Sequence, residues 1–114
     1  MRHTNSENRL DLRTQLRGGT GKIKMYHLLE ENELMGKAKM CTRLVVEPGC
    51  SIGSHPHNPE AEIYYIIKGE LEMDDDGVSC KMQEGDIMIT GNGAMHGLNN
   101  KSDKTAEVFA IILA

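Results

Sequence analysis

Two histidines one residue apart, His55 and His57, are followed by a glutamate at Glu62. On an extended backbone, positions i and i+2 point to the same side. Two imidazoles and a carboxylate then converge on one volume. Neutral imidazole is a common transition-metal ligand, and a carboxylate adds charge balance. A third histidine, His96, lies in a later glycine-rich turn and strand. Three histidines and one glutamate make a four-ligand set. On an octahedral ion this leaves open positions, which suits a reactive site better than a closed structural one.

Two further residues are candidates for holding a ligand. Tyr64 follows Glu62 by two residues, so its phenol shares that side of the strand. It is either a hydrogen-bond donor to a ligand or a core tyrosine. Arg43 sits within an apolar strand, on the side of Cys41 and Val45. Facing inward, its guanidinium could hold a carboxylate; facing outward, it is a surface or interface charge. His3 and His27 read as ordinary residues. Gly18 to Lys22 lacks the first glycine of a phosphate loop and reads as a hinge. The Asp74 to Asp76 run is a solvated turn, without the spacing of a calcium loop.

The elements that must position these side chains are strands. From Lys22 onward apolar residues alternate with polar ones, a period of two. Segments 22–29, 39–46, 62–68, 71–73, 78–82, 87–90, 95–100 and 106–113 fit that pattern, separated by Gly, Pro or Asp turns. Glu30 to Met35 is a weak helical candidate. Short strands at regular spacing predict an all-β sandwich or barrel. Residues 62–67 and 108–113 are apolar on both faces. A strand facing a single core should show a polar outer side, so a covering partner is implied, preferably a second copy in a homodimer.

Length and charge bound the rest. The chain of 114 residues is one domain, with a net charge of −4. Residues 1–24 carry six basic and two acidic side chains, so the body beyond them is more acidic than the total suggests. Residues 1–21 form a polar arm and 22–114 the barrel; the arm either lies on an acidic body or is a frayed terminus. An acidic chain is a poor binder of nucleic acid. No long apolar run suggests a membrane span or a leader. Three cysteines without CxxC spacing argue against disulfides and a zinc ribbon. A cytoplasmic protein is expected.

The spacing also resembles a family. Gly49, His55, His57, Glu62 and Gly69 match the first cupin motif at every fixed position. Gly85, Gly91, Gly93, His96 and Asn100 match the second, with Gly91 where the family usually has proline. The resemblance implies a double-stranded β-helix, the cupin jelly-roll barrel. It also implies His55, His57, Glu62 and His96 as ligands of a divalent transition metal. Manganese is the first choice, with Fe, Ni, Co or Zn as alternatives. Gly91 puts the stiffness of the loop before His96 in doubt.

Small cupins similar to this one are often called oxalate-decarboxylase-like. Oxalate-degrading relatives carry an arginine three residues before the first motif histidine, where this chain has Ile52. They also carry a lid with a catalytic glutamate, and no comparable insertion is evident here. Two functions stay open. One is a metal-dependent decarboxylase, oxygenase or isomerase acting on a small polar or carboxylate molecule. The other is a non-catalytic module that binds or senses such a molecule through the metal.

Overall fold

The computed structural model describes residues 1–114, and the alternating apolar segments fold as strands. β1 spans Arg9–Thr14, β2 Lys22–Leu29, β3 Ala38–Val46, β4 Ser51–Pro56 and β5 Ala61–Lys68. β6 spans Glu70–Asp75, β7 Val78–Gln83, β8 Ile87–Thr90, β9 Met95–Asn99 and β10 Ala106–Leu113. A six-stranded sheet has the order β1-β2-β3-β10-β5-β8, and a four-stranded sheet the order β4-β9-β6-β7. The two antiparallel sheets close over one core as the expected double-stranded β-helix. Ile23, Leu44, Val46, Ile66, Leu71 and Val108 lie at its centre, none above 2% exposure. No helix is long and apolar enough to cross a membrane.

The arm contributes a strand that its polar composition did not signal. β1 pairs with β2 from Arg9 opposite His27 to Thr14 opposite Lys22. Its apolar residues, Leu10 and Leu12, stay exposed, so backbone pairing rather than burial holds it. Charge helps: the Arg9 guanidinium donates to both Glu30 carboxylate oxygens, at 3.1 and 3.0 Å. The helical candidate around Glu30 to Met35 shrinks to a 3-10 turn, Glu31–Leu34. Glu30 and Glu33 form a capping box there. Met35 and Gly36 then take φ of 56° and 71°, which ends any right-handed helix.

Asn100, the last position of the second motif, is a tie between turns. It is fully buried, and its amide donates to the Val46 and Lys104 carbonyls, both at 2.8 Å. Its carbonyl oxygen accepts from the Ser102 backbone at 3.0 Å and hydroxyl at 2.7 Å.

Part of the outer face of the six-stranded sheet is apolar. Leu10, Tyr26, Arg43, Phe109, Tyr65 and Ile87 stand in register across all six strands. Paired residues share a face, so this is one continuous outward row. Tyr65, Ile67, Ile87 and Ile89 are exposed by 42%, 38%, 66% and 65%. Inward neighbours on the same strands, such as Tyr64, Ile66, Val108 and Ala110, are buried.

Candidate metal centre

Register brings the four sequence-predicted ligands together. β4 places His55 opposite His96 of β9. β5 places Glu62 opposite Thr90 of β8. His57 follows β4, and its backbone N–H donates to the Ala94 carbonyl at 3.1 Å while its carbonyl accepts from Gly93 at 2.8 Å. Those two bonds tie the loop before His96 to the residue that follows β4.

All four side chains are buried, and one donor atom from each lies within 4.8 Å of the others. Glu62 Oε1 is 3.0 Å from Nε2 of both His57 and His96. The two nitrogens are 3.1 Å apart. The three imidazoles meet edge to face, with centroids 5.0, 4.8 and 4.7 Å apart.

The outer nitrogens of two rings are engaged. His55 Nδ1 lies 2.7 Å from the Gly53 carbonyl, which can only accept, so this nitrogen carries the proton. His96 Nδ1 lies 3.0 Å from the Thr90 hydroxyl. With Nδ1 as the donor, each Nε2 turns a lone pair inward. Lone pairs and a carboxylate this close repel one another unless a cation or proton lies between them. The donor set therefore fits a divalent transition cation. Burial also lowers the His55 pKa from its ordinary value, against the opposing Gly53 bond, and so favours the neutral, ligating form. His57 Nδ1 is buried without a hydrogen-bond partner. Glu60 Oε1 stands 3.5 Å away, and Glu60 is itself paired with Lys39 at 3.2 Å.

His55, His57 and Glu62 line a cavity of about 140 Å³. Drug-sized pockets begin near about 300 Å³, so the occupant is small. Tyr64 lines the same cavity and stacks on His96, with centroids 4.5 Å apart and planes 8° from parallel. Burial, then the Glu62 charge, raises its phenol well above the usual value. A larger groove of about 510 Å³ on the four-stranded sheet contains none of the four donors.

Arg43 is not brought to the cavity. It belongs to the outward row, where it pairs with Glu107 at 2.8 Å and its guanidinium lies 4.5 Å from the Tyr26 ring centre. The reason is register: inward positions on β3 are Thr42 and Leu44, so Arg43 must face out. Sequence reasoning missed Thr90, whose role depends on cross-strand register. It also missed Arg13 and Arg17 of the arm, which line the cavity. The concentration of positive charge in residues 1–24 was the available signal.

A family model described as a cupin domain matches residues 42–112. An oxalate-binding protein of Thermotoga maritima is 36% identical over 100 residues, covering 88% of this chain and 83% of that protein. The crystal structure of a predicted oxalate decarboxylase from Thermotoga maritima has a TM-score of 0.94 and 34% identity, covering 99% of this chain and 98% of that one. KdgF from Halomonas sp. shares the fold, with a TM-score of 0.72 and 17% identity over 97% of this chain and 91% of that one. By its motifs, its barrel and these matches, the chain belongs to the cupin family.

Proposed function

We propose that His55, His57, Glu62 and His96 hold a divalent transition metal, manganese first, and that the cavity above them takes a small carboxylate. The convergence of four buried donors beside a small cavity carries this reading. The name of the Thermotoga oxalate-binding relative supports the ligand class. A bound ion supplies Lewis acidity and positive charge for such a ligand. The chain's own residues set its orientation: Tyr64 offers a hydroxyl donor, and anionic Glu60, its pKa lowered by Lys39, disfavours a carboxylate at its wall.

A binding or sensing module is favoured over an enzyme by one observation. Beyond the four donors, the acid-base groups lining the cavity are poorly suited to proton transfer. Glu60 is paired with Lys39 at 3.2 Å, and the Tyr64 phenol is buried and stacked on His96. The test is elemental analysis followed by titration of the manganese-loaded protein with oxalate, with product assayed in the same samples. Binding without product supports the module. Steady-state product supports a decarboxylase or oxygenase instead. Absence of both metal and binding sinks the proposal.

The outward row of Leu10, Tyr26, Phe109, Tyr65 and Ile87 supports a homodimer built on the six-stranded sheet. Residues 1–21 act as an arm to the 22–114 barrel, since Arg13, Leu16 and Arg17 reach the cavity.

A further inference from the structure

We propose that Arg17, with Arg13 beside it, is the anion-recognising wall of the cavity and grips the carboxylate end of the ligand that points away from the His–Glu group. The occupant is then a small dicarboxylate held at both ends. This inference rests on the small-carboxylate reading given above.

Arg17 lies on the 3-10 turn Leu16–Gly18, between β1 and β2. Its backbone is left-handed, with φ 55° and ψ 32°. Non-glycine residues adopt that conformation at a cost, which the surrounding structure must offset. Here close packing on β4 holds the turn. A Cβ on Gly53 would lie 2.0 Å from the Arg17 carbonyl oxygen, and one on Gly19 would lie 2.2 Å from the Ser51 carbonyl oxygen. Only glycine permits these approaches. The Thr20 N–H donates to Ser51 Oγ at 2.8 Å, and the Ser51 N–H returns a bond to the Thr20 carbonyl at 2.9 Å. The backbone of Arg17 is thereby fixed against Gly53, two residues before His55.

The charges around the cavity leave this guanidinium free. Glu62 faces His57 and His96, Glu60 pairs with Lys39, and Arg13 pairs with Asp11 at 3.3 Å. Arg17 makes no ion pair or side-chain hydrogen bond. It lines the cavity together with His55, His57, Glu62 and Tyr64. Much of the remaining wall is apolar, including Leu16, Met40, Leu44 and Ile112. A planar guanidinium lining the same cavity as a metal-ligand set matches a molecule with a carboxylate at each end.

The test is calorimetric titration of manganese-loaded wild type, Arg17→Asn and Arg17→Lys with oxalate and with acetate. Asparagine tolerates the left-handed backbone, so the turn is kept while the charge is removed. Metal content and melting temperature are measured on each protein, and both should stay at wild-type values. Oxalate binding should weaken by about 10- to 100-fold in Arg17→Asn and by less in Arg17→Lys, while acetate changes little. Equal oxalate affinity in wild type and Arg17→Asn overturns the role of Arg17 and leaves the carboxylate reading standing. An equal loss for acetate overturns the two-ended placement. A wild type that binds metal and neither acid overturns the carboxylate reading and this inference together.

Discussion

The Thr90 hydroxyl lies 3.0 Å from His96 Nδ1, and both side chains are withdrawn from solvent. Thr90 also stands in register with Glu62 on the neighbouring strand. One hydroxyl thus orients one donor from the strand that pairs with another. Thr90→Val keeps nearly the same shape and removes that contact. Metal affinity should fall by about 10- to 100-fold with the fold intact, read by competition with a chelator. An unchanged affinity refutes the orienting role.

His57→Ala removes a donor at the centre of the group, 3.0 Å from Glu62 and 3.1 Å from His96. Elemental analysis should find metal well below one equivalent, while circular dichroism still reports a β protein. Full occupancy in this variant rules out His57 as a ligand.

Acid should strip the metal below roughly pH 5–6, because protons compete for imidazole nitrogen. The metal-free protein should also lose stability in acid. Burial holds the His55 pKa in the folded chain below its ordinary value of 6.5. The unfolded chain therefore takes the proton first, and stability falls as pH drops below about 6.5. His3 works in the opposite sense. Its hydrogen bonds to Glu33 and then Glu7 raise its pKa, so its contribution is present in acid and lost as pH rises through the raised value. It is exposed, so His55 should dominate. Melting curves at pH 7 and pH 5 should show a drop that is smaller in His55→Gln. A metal-free protein equally stable at both values contradicts this account.

Asn100→Ala should cost roughly 2–4 kcal/mol, since two carbonyls lose their donors in a buried turn. Denaturant titration of the metal-free protein measures it. A loss under about 0.5 kcal/mol would mean that water replaces the amide without penalty.

Charging the outward row should separate the proposed dimer. Ile87→Lys with Ile89→Lys alters two exposed positions, so the barrel itself should be little affected. Light scattering should move from the mass of two chains to that of one. A wild type that is already monomeric discards the interface.

Much of the fold was legible because β-strand periodicity and turn residues are local signals. The His55, His57 and Glu62 grouping was equally local, needing only an extended backbone. What escaped was non-local. Thr90 acquires meaning only through its place opposite Glu62 and beside His96. Arg43 had two possible faces, and the register of β3 decided between them. β1 had too few apolar residues to announce itself, and its partner lies across a turn. The backbone bonds between His57 and residues 93 and 94 likewise could not be read from the residue type at position 91.

The bare backbones of Gly19 and Gly53 let a segment far from the metal ligands in sequence line the cavity. On the role proposed for Arg17, part of the contact to the ligand comes from a stretch of chain separate from the donors that hold the ion. Leu16 of this stretch packs on the core, so Arg13 and Arg17 are the positions to vary. On that proposal, changing those two side chains redirects the same scaffold toward a different small acid or a neutral molecule.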